Sequence, residues 1–435
     1  MAAVDVPVAL LGYGTVGAAV HRLLEEQGDE IDRATGHRLR VVRALVRDAE
    51  KPRRFTPSAG VLTTDPADIL NDPSIRVVAE VMGGVEPAGG LVLELLRSGR
   101  SVVTANKQLV ARRGAELFAA ASGRGVQLRF EASVCAAIPV IKVLRESLVV
   151  THVHRVLGIV NGTTNFMLSQ MENGCSYADA LAEAQRLGYA EADPIDDVAG
   201  HDAAAKIAIL ATIAFGSRVP IEWVETEGIE RLTSDQVTAA RALDMKVKML
   251  ARATLVDGKV DVRVGPALVD ARHPLAAVEG AFNAVMLQGD AIREITLEGP
   301  GAGGSETASA VVADMVAVVG TSGTGFLQND PVWRSLERMP PGEISGNWYL
   351  RLEVADRAGV LARIAQEFAT QEVSVARLVQ QPGHDCAVLH VVTHEASAGS
   401  VHAALAAIRA LPESRGDATA LPVVSDRGVE ELGWA

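Results

Sequence analysis

The sequence is short of cysteine, aromatic residues, basic charge and long apolar runs. Its three cysteines, Cys135, Cys175 and Cys386, stand far apart. There is no CxxC pair and no evenly spaced set, so neither a disulfide framework nor a zinc site is indicated. Aromatics make up 4% of the 435 residues, and Ala, Val and Gly, which allow close helix–sheet packing, are plentiful. No run of 18 apolar residues occurs, and the opening MAAVDVPVALLGYG enters a strand and a turn without a charged leader region. No membrane span or secretory signal is therefore expected, and the expected compartment is the cytoplasm. Lys and Arg total 41 against 54 Asp and Glu, a net charge of −13. That balance argues against a nucleic-acid partner, which would need a basic face. It leaves room for an anionic cofactor held by a few local donors. With 48% hydrophobic and 22% charged residues, the chain has ample material for a core and length for two or three domains.

Three textures follow one another. Strand-like runs VPVALLG (6–12), RLRVVRALV (38–46), IRVVAEVM (75–82) and SVVTAN (101–106) alternate with helical stretches. That order predicts a parallel, doubly wound sheet over 1–130. Residues 131–320 predict a mixed α+β catalytic domain, in which TSDQVTAARALDMKVKMLARATL reads as one long helix. The helix near 305–320 is expected to return to the first domain. Residues 321–347, rich in Gly, Pro and Ser, read as a linker. From 348 to 435 the strand–helix–strand–strand–helix–strand order predicts a small ferredoxin-like unit.

Gly12-x-Gly14-x-x-Gly17 sits between the first strand and the first helix. Gly12 permits the tight turn, Gly14 lets backbone N–H groups approach a pyrophosphate, and Gly17 lets helix and strand pack closely. The second strand ends ALVRDAEKPRR, with Arg47 where dinucleotide sites for NAD usually carry an acid. An arginine there can meet a 2′-phosphate, which favours NADP while leaving NAD open. Lys107, in TANKQLV, follows the fourth strand at the edge where ligands of such sheets bind.

The densest chemistry lies in RLGYAEADPIDDVAGHDAAAK (186–206), which holds five carboxylates and Lys206. Gly188 ends one helix and Pro194 blocks its continuation. A new helix from His201 places Asp202 and Lys206 on one face. Spacing alone favours an exposed ion pair. Beside a nicotinamide cofactor, however, a lysine among carboxylates suits proton transfer to an alcohol oxygen and the binding of a substrate ammonium group.

LGYGTVG, MGGVEPA (82–88), TANK (104–107), EASVCAAIPVIK (131–142), GIVNGTTNFML (158–168), the acidic segment and GAGG…TASAVVAD (301–314) together resemble homoserine dehydrogenase, in order and over nearly the whole chain. The last unit resembles an ACT domain. The resemblance implies NAD(P)-dependent interconversion of L-aspartate 4-semialdehyde and L-homoserine, in the biosynthesis of threonine, methionine and isoleucine. It implies Lys206 as proton donor or acceptor, with Asp202 as its partner and Lys107 as a second active-site lysine. Glu191 is implied to bind substrate, with Asp197 as neighbour. Gly12, Gly14, Thr15, Val16, Gly17, Arg47, Met82, Gly83, Lys107, Gly188, Gly303 and Gly304 match cofactor positions. A monovalent cation, sodium, is implied at Glu131 with the carbonyls of Val134, Ala136 and Ile138. A homodimer or homotetramer with threonine as effector is also implied. Many members have two glycines where this chain has Ala136 and Ala137, and Ala358 stands where the ACT turn commonly has proline. The rival readings are another aldehyde or amino-acid dehydrogenase and a non-catalytic amino-acid sensor.

Overall fold

The computed structural model describes residues 4–53, 55–320, 336–382 and 386–424. The first sheet is parallel throughout, because every strand-to-strand connection crosses over through a helix or loop. Its elements are β1 (Val4–Leu11), α1 (Thr15–Glu26), α2 (Gly28–Thr35), β2 (His37–Leu45), β3 (Leu62–Thr63), α3 (Ala67–Leu70), β4 (Val77–Glu80), α4 (Ala88–Arg97), β5 (Ser101–Thr104), α5 (Lys107–Arg124) and β6 (Leu128–Arg129). The order is β3-β2-β1-β4-β5-β6. Strand order reverses between β1 and β4, so a crevice opens at their carboxyl ends, where this topology binds ligands.

The second part begins with α6 (Val140–Lys142), which runs on as a π-helical turn. It continues through β7 (Val153–Ile159), α7 (Gly162–Glu172), α8 (Tyr177–Arg186), α9 (Ile195–Val198), α10 (His201–Phe215), β8 (Glu225–Thr226), α11 (Ser234–Ala239), β9 (Met245–Val256), β10 (Lys259–Asp270), β11 (Phe282–Gly289) and β12 (Arg293–Pro300). The expected long helix over 233–255 is not formed. Only α11 and one 3-10 turn are helical before Asp244, whose φ of 54° ends the turn. Residues 245–256 pair along their whole length with β10, and partly with β7. Met, Lys, Leu, Ala and Arg favour helix intrinsically. Here the two-sided pairing of a central strand overrides that preference.

Helix α12 (Gly304–Gly320) leaves the second sheet and packs on α1. Its Ala308, Val311 and Met315 join Val8, Leu10 and Val20 in one core, so sequence-distant residues complete the first unit. The predicted linker residues 321–335 lie outside the described residues. Beyond them come β13 (Glu337–Arg338), β14 (Ser345–Val354), α13 (Val360–Thr370), β15 (Val375–Pro382), β16 (Ala387–Thr393), β17 (Ala396–Ser397), α14 (Ala398–Arg409) and β18 (Thr419–Val424). This unit is a βαββαβ sandwich with strand order β18-β14-β16-β15. Its sheet is continuous with the second sheet, because β18 pairs in parallel with β10 at Leu268↔Val423 and Val269↔Val424.

Candidate active site

The turn after β1 explains its glycines one by one. Gly12 has φ +105°, and a Cβ there would lie 2.9 Å from the Val81 carbonyl oxygen. A Cβ on Gly17 would lie 2.3 Å from the Gly12 oxygen, whereas one on Gly14 would meet nothing within 4 Å. Gly12 and Gly17 therefore serve the turn and the packing, and Gly14 leaves open space for a ligand. Helix α12 begins at the same place, since a Cβ on Gly304 would be 2.8 Å from Thr15 Cγ2. Two helix N-termini thus converge on one anion-favouring point.

A cleft of about 1150 Å³ extends from this turn. Gly12, Gly14, Thr15, Arg47, Met82 and Gly304 all line it, as do Lys51 and Arg53. Arg53 donates to the carbonyls of Ala49 and Lys51 and so shapes the loop after β2. Val16 and Gly17, in the first turn of α1, do not line the cleft. Gly83 (φ +76°) and Gly303 (φ +146°) occupy turns beside it. Gly188 (φ +78°) closes α8, beyond the cleft lining.

The floor at the carboxyl end of β4 is organised by Glu80, a residue without any motif to announce it. Its fully buried carboxylate accepts from the Met82 amide (2.8 Å), Gly83 amide (3.3 Å), Thr104 hydroxyl (2.5 Å) and Asn106 amide (3.4 Å). Burial pushes its pKa up, against those hydrogen bonds. Asn106 also caps α5 by accepting from the Leu109 amide at 3.1 Å. This fixes Lys107 at the first helical position.

Lys107 meets the acidic segment there. Its Nζ lies 3.0 Å from Asp202 Oδ1, while Lys206 Nζ lies 2.8 Å from Asp202 Oδ2. Lys206 also donates to the Val160 carbonyl at 2.6 Å. The pair expected from spacing to be exposed is instead buried, Asp202 being 5% and Lys206 9% exposed. Gly200, with φ +86°, caps the start of α10, whose first two turns carry both side chains. Burial works to raise the Asp202 pKa, but Lys206, Lys107 and Asn161 outweigh it and bring it down to about 2. Burial likewise opposes charge on Lys206, and Asp202, Cys135 and Asp197 outweigh it, so its pKa rises. Asp202 is thus held anionic and Lys206 held protonated.

Asn161, which begins NGTTN but is given no role by the sequence, ties in Asp197. Its Nδ2 donates to Asp197 Oδ1 at 2.7 Å and to Asp202 Oδ2 at 3.0 Å. Asp197 has its pKa raised by burial first and by Asp202, against the Asn161 hydrogen bond. Glu191 stands on the exposed turn after α8, where its carbonyl accepts from Gln185. No side-chain bond joins it to the lysine cluster among the described residues.

Glu131 is 3% exposed. Its Oε1 accepts from the Ile141 amide (2.7 Å) and its Oε2 from the Lys142 amide (2.9 Å), at the start of α6. Burial and the charge of Asp314 push its pKa up to about 7. Its own amide donates to Asp314 Oδ2 at 2.9 Å. Two buried acids therefore adjoin, with Lys142 Nζ 3.5 Å and Arg129 Nη1 3.8 Å from Asp314. The carbonyls of Val134, Ala136 and Ile138 belong to the turn that follows. Its left-handed residues are Cys135 (φ 55°) and Ala136 (φ 42°), not Ala137. The methyl at Ala136 thus strains the backbone, while that at Ala137 does not. Cys135 is 1% exposed, and burial raises its thiol pKa to about 11, which suits an inert buried thiol.

Family models match three segments: "Homoserine dehydrogenase, NAD binding domain" over 12–131, "Homoserine dehydrogenase" over 139–316 and "ACT domain" over 348–413. The homoserine dehydrogenase of Corynebacterium glutamicum is 42% identical, covering 94% of this chain and 93% of that protein. A crystal structure of a homoserine dehydrogenase from Thiobacillus denitrificans superposes with a TM-score of 0.91 at 40% identity, over 99% of each chain. A hyperthermophilic archaeal homoserine dehydrogenase in complex with NADPH superposes with a TM-score of 0.63 at 29% identity, over 72% of this chain and 97% of that one. No helix among the described residues is long and apolar enough to cross a membrane.

Proposed function

The chain belongs to the homoserine dehydrogenase family, NAD-binding oxidoreductases acting on a CH–OH group, and on that premise we propose a division of labour among its residues. The substrate pair is L-aspartate 4-semialdehyde and L-homoserine. The observation that carries the proposal is the buried Asp202 carboxylate shared, one oxygen each, by Lys206 and Lys107.

When bound in the cleft, a nicotinamide dinucleotide supplies the hydride that the aldehyde carbon must receive. The residues present fit such a group, through the open face at Gly14 and the paired helix N-termini. Arg47 and Lys51, which line the cleft, would hold a 2′-phosphate, which favours NADP. Lys206, kept protonated by Asp202, gives its proton to the developing alkoxide. In the reverse direction the neutral amine takes the hydroxyl proton. Lys107 supplies a second positive charge at the oxygen. Asp197 and Glu191 replace the water shell of the substrate ammonium group.

Glu131 and the carbonyls of Val134, Ala136 and Ile138 fit a monovalent cation, which would offset the charge that Glu131 and Asp314 bury together. Its contribution would be to hold the 131–138 turn beneath the substrate. The ACT-type unit is proposed as a regulatory module with an amino acid, threonine, as effector. The protein is proposed to act as a homodimer or homotetramer.

The test is the loss of NADPH absorbance on adding aspartate 4-semialdehyde. Turnover with that aldehyde and none with unrelated aldehydes is expected. Absence of turnover would refute the reading.

A further inference from the structure

We propose that Asn161 is the positioning residue of this site, which decides the carboxylate that the catalytic lysines use. The inference rests on the reading above and adds a residue to it. Asn161 precedes α7 in an extended conformation (φ −130°, ψ 113°) and caps that helix. Its Oδ1 accepts from the Thr164 amide at 2.9 Å and from the Thr164 hydroxyl at 3.1 Å. The cap therefore fixes the amide's orientation, and only the Nδ2 side can face the acids. Both of its hydrogens are used there, one on Asp197 Oδ1 and one on Asp202 Oδ2. The group is 5% exposed, so water does not replace these bonds cheaply.

Two consequences follow from that geometry. First, Asp202 Oδ2 is held by both Lys206 and Asn161 while Oδ1 faces Lys107, so the carboxylate has no free rotation. Second, Asn161 stands between two acids that would otherwise repel each other. Without it, Asp197 could compete for Lys206, and the lysine would have two alternative partners. The charged and titratable groups facing Lys206 are Asp202, Asp197 and Cys135, and those facing Asp202 are the two lysines. The amide thereby maintains an asymmetric pair: one acid committed to the lysines and one turned toward the substrate.

The serine and aspartate variants separate capping from positioning. Asn161→Ser keeps a capping oxygen but loses the donor to the acids. Asn161→Asp also keeps the cap, but it aims a third carboxylate at the other two. Homoserine oxidation by the full-length enzyme is measured with its pH profile, the KM values for homoserine and cofactor, and Tm. For Asn161→Ser the expected result is a Tm close to wild type and unchanged cofactor KM. Its kcat should fall roughly tenfold or more, as when a hydrogen bond to a charged group is lost. The inflection at which Lys206 loses its proton should move to higher pH, because two carboxylates no longer offset by the amide then face it. Asn161→Asp adds a negative charge that holds Lys206 protonated, so oxidation should be slower still and its inflection should lie at higher pH than in the wild type. A serine variant with wild-type kcat and pH profile would overturn the proposal, as would a loss proportional only to lost folded protein. A wild-type enzyme inactive on homoserine, yet folded, would overturn the underlying functional reading as well.

Discussion

Lys107 Nζ sits 3.0 Å from Asp202 Oδ1, joining the helix after β5 of the nucleotide-binding sheet to the first turn of α10. The contact brings together residues almost a hundred positions apart. It makes Asp202 the common counter-ion of two lysines of unequal exposure, since the Lys107 side chain is 38% exposed and that of Lys206 only 11%. The buried lysine is thus the one whose charge depends most on its partner.

Removing the ammonium group should therefore cost most at Lys206. Lys206→Ala is expected to lower kcat by roughly a hundredfold or more, the usual scale for a general acid–base group. Lys107→Ala should reduce kcat less. Initial rates followed by NADPH absorbance decide this, and near-normal turnover in Lys206→Ala would refute the assignment.

Asp202→Asn should be the least stable variant of the cluster, because it strands a buried charge. Breaking one side of a buried ion pair typically costs about 3–5 kcal/mol. The Tm should fall accordingly. In the wild type the folded pKa of Asp202, about 2, lies below the ordinary carboxylate value. Its stabilisation is therefore present above the unfolded value and lost as pH falls toward 2. A Tm unaffected by the substitution would contradict the buried pairing.

Glu131 has the opposite sign. Its folded pKa, about 7, lies above the ordinary value. Its contribution is thus complete in acid and lost as pH rises through about 7. Without monovalent cations, Tm should decline from pH 5 to pH 8. Sodium chloride should restore it at pH 8 more than an equal concentration of a bulky organic cation chloride, and Glu131→Gln should abolish the difference. Equal responses to both salts in the wild type would rule out a specific ion at this site.

Arg47→Ala should lower kcat/KM for NADP about tenfold and leave that for NAD nearly unchanged, the scale of one charge-assisted phosphate contact. Steady-state kinetics with both cofactors measure the ratio. An unchanged ratio would remove Arg47 from 2′-phosphate recognition.

Ala136→Gly should raise stability slightly. The left-handed conformation at Ala136 (φ 42°) costs a residue with a Cβ roughly 1–2 kcal/mol. Glycine's extra unfolded-state freedom takes back about 0.5–1 kcal/mol. A small increase in Tm is expected, and a clear decrease would show that the methyl contributes packing that outweighs the strain.

Much of the fold is written locally. The Gly12–Gly14–Gly17 turn, the β1, β2, β4 and β5 runs and the βαββαβ order are each set by short-range pattern. Local pattern failed at 245–256, where helix-favouring residues form the central strand β9 because β10 and β7 flank it. It also had no means of finding Glu80, since a carboxylate at a strand end is marked only by the four donors that fold around it. The continuity of the two later sheets, through Val269 beside Val424, likewise depends on an edge strand meeting a distant partner.

The sequence by itself determined the turn chemistry, the helix starts and the one-turn spacing of Asp202 and Lys206, since these follow from backbone sterics and the helical period. Tertiary structure alone decided that this pair is buried rather than solvated. Burial requires β7, α5 and the Asn161 cap to close over it, and it changes the balance of desolvation against charge. In water such a pair is nearly neutral in energy. Under Val160, beside Lys107 and Asn161, it holds one charge of each sign in place.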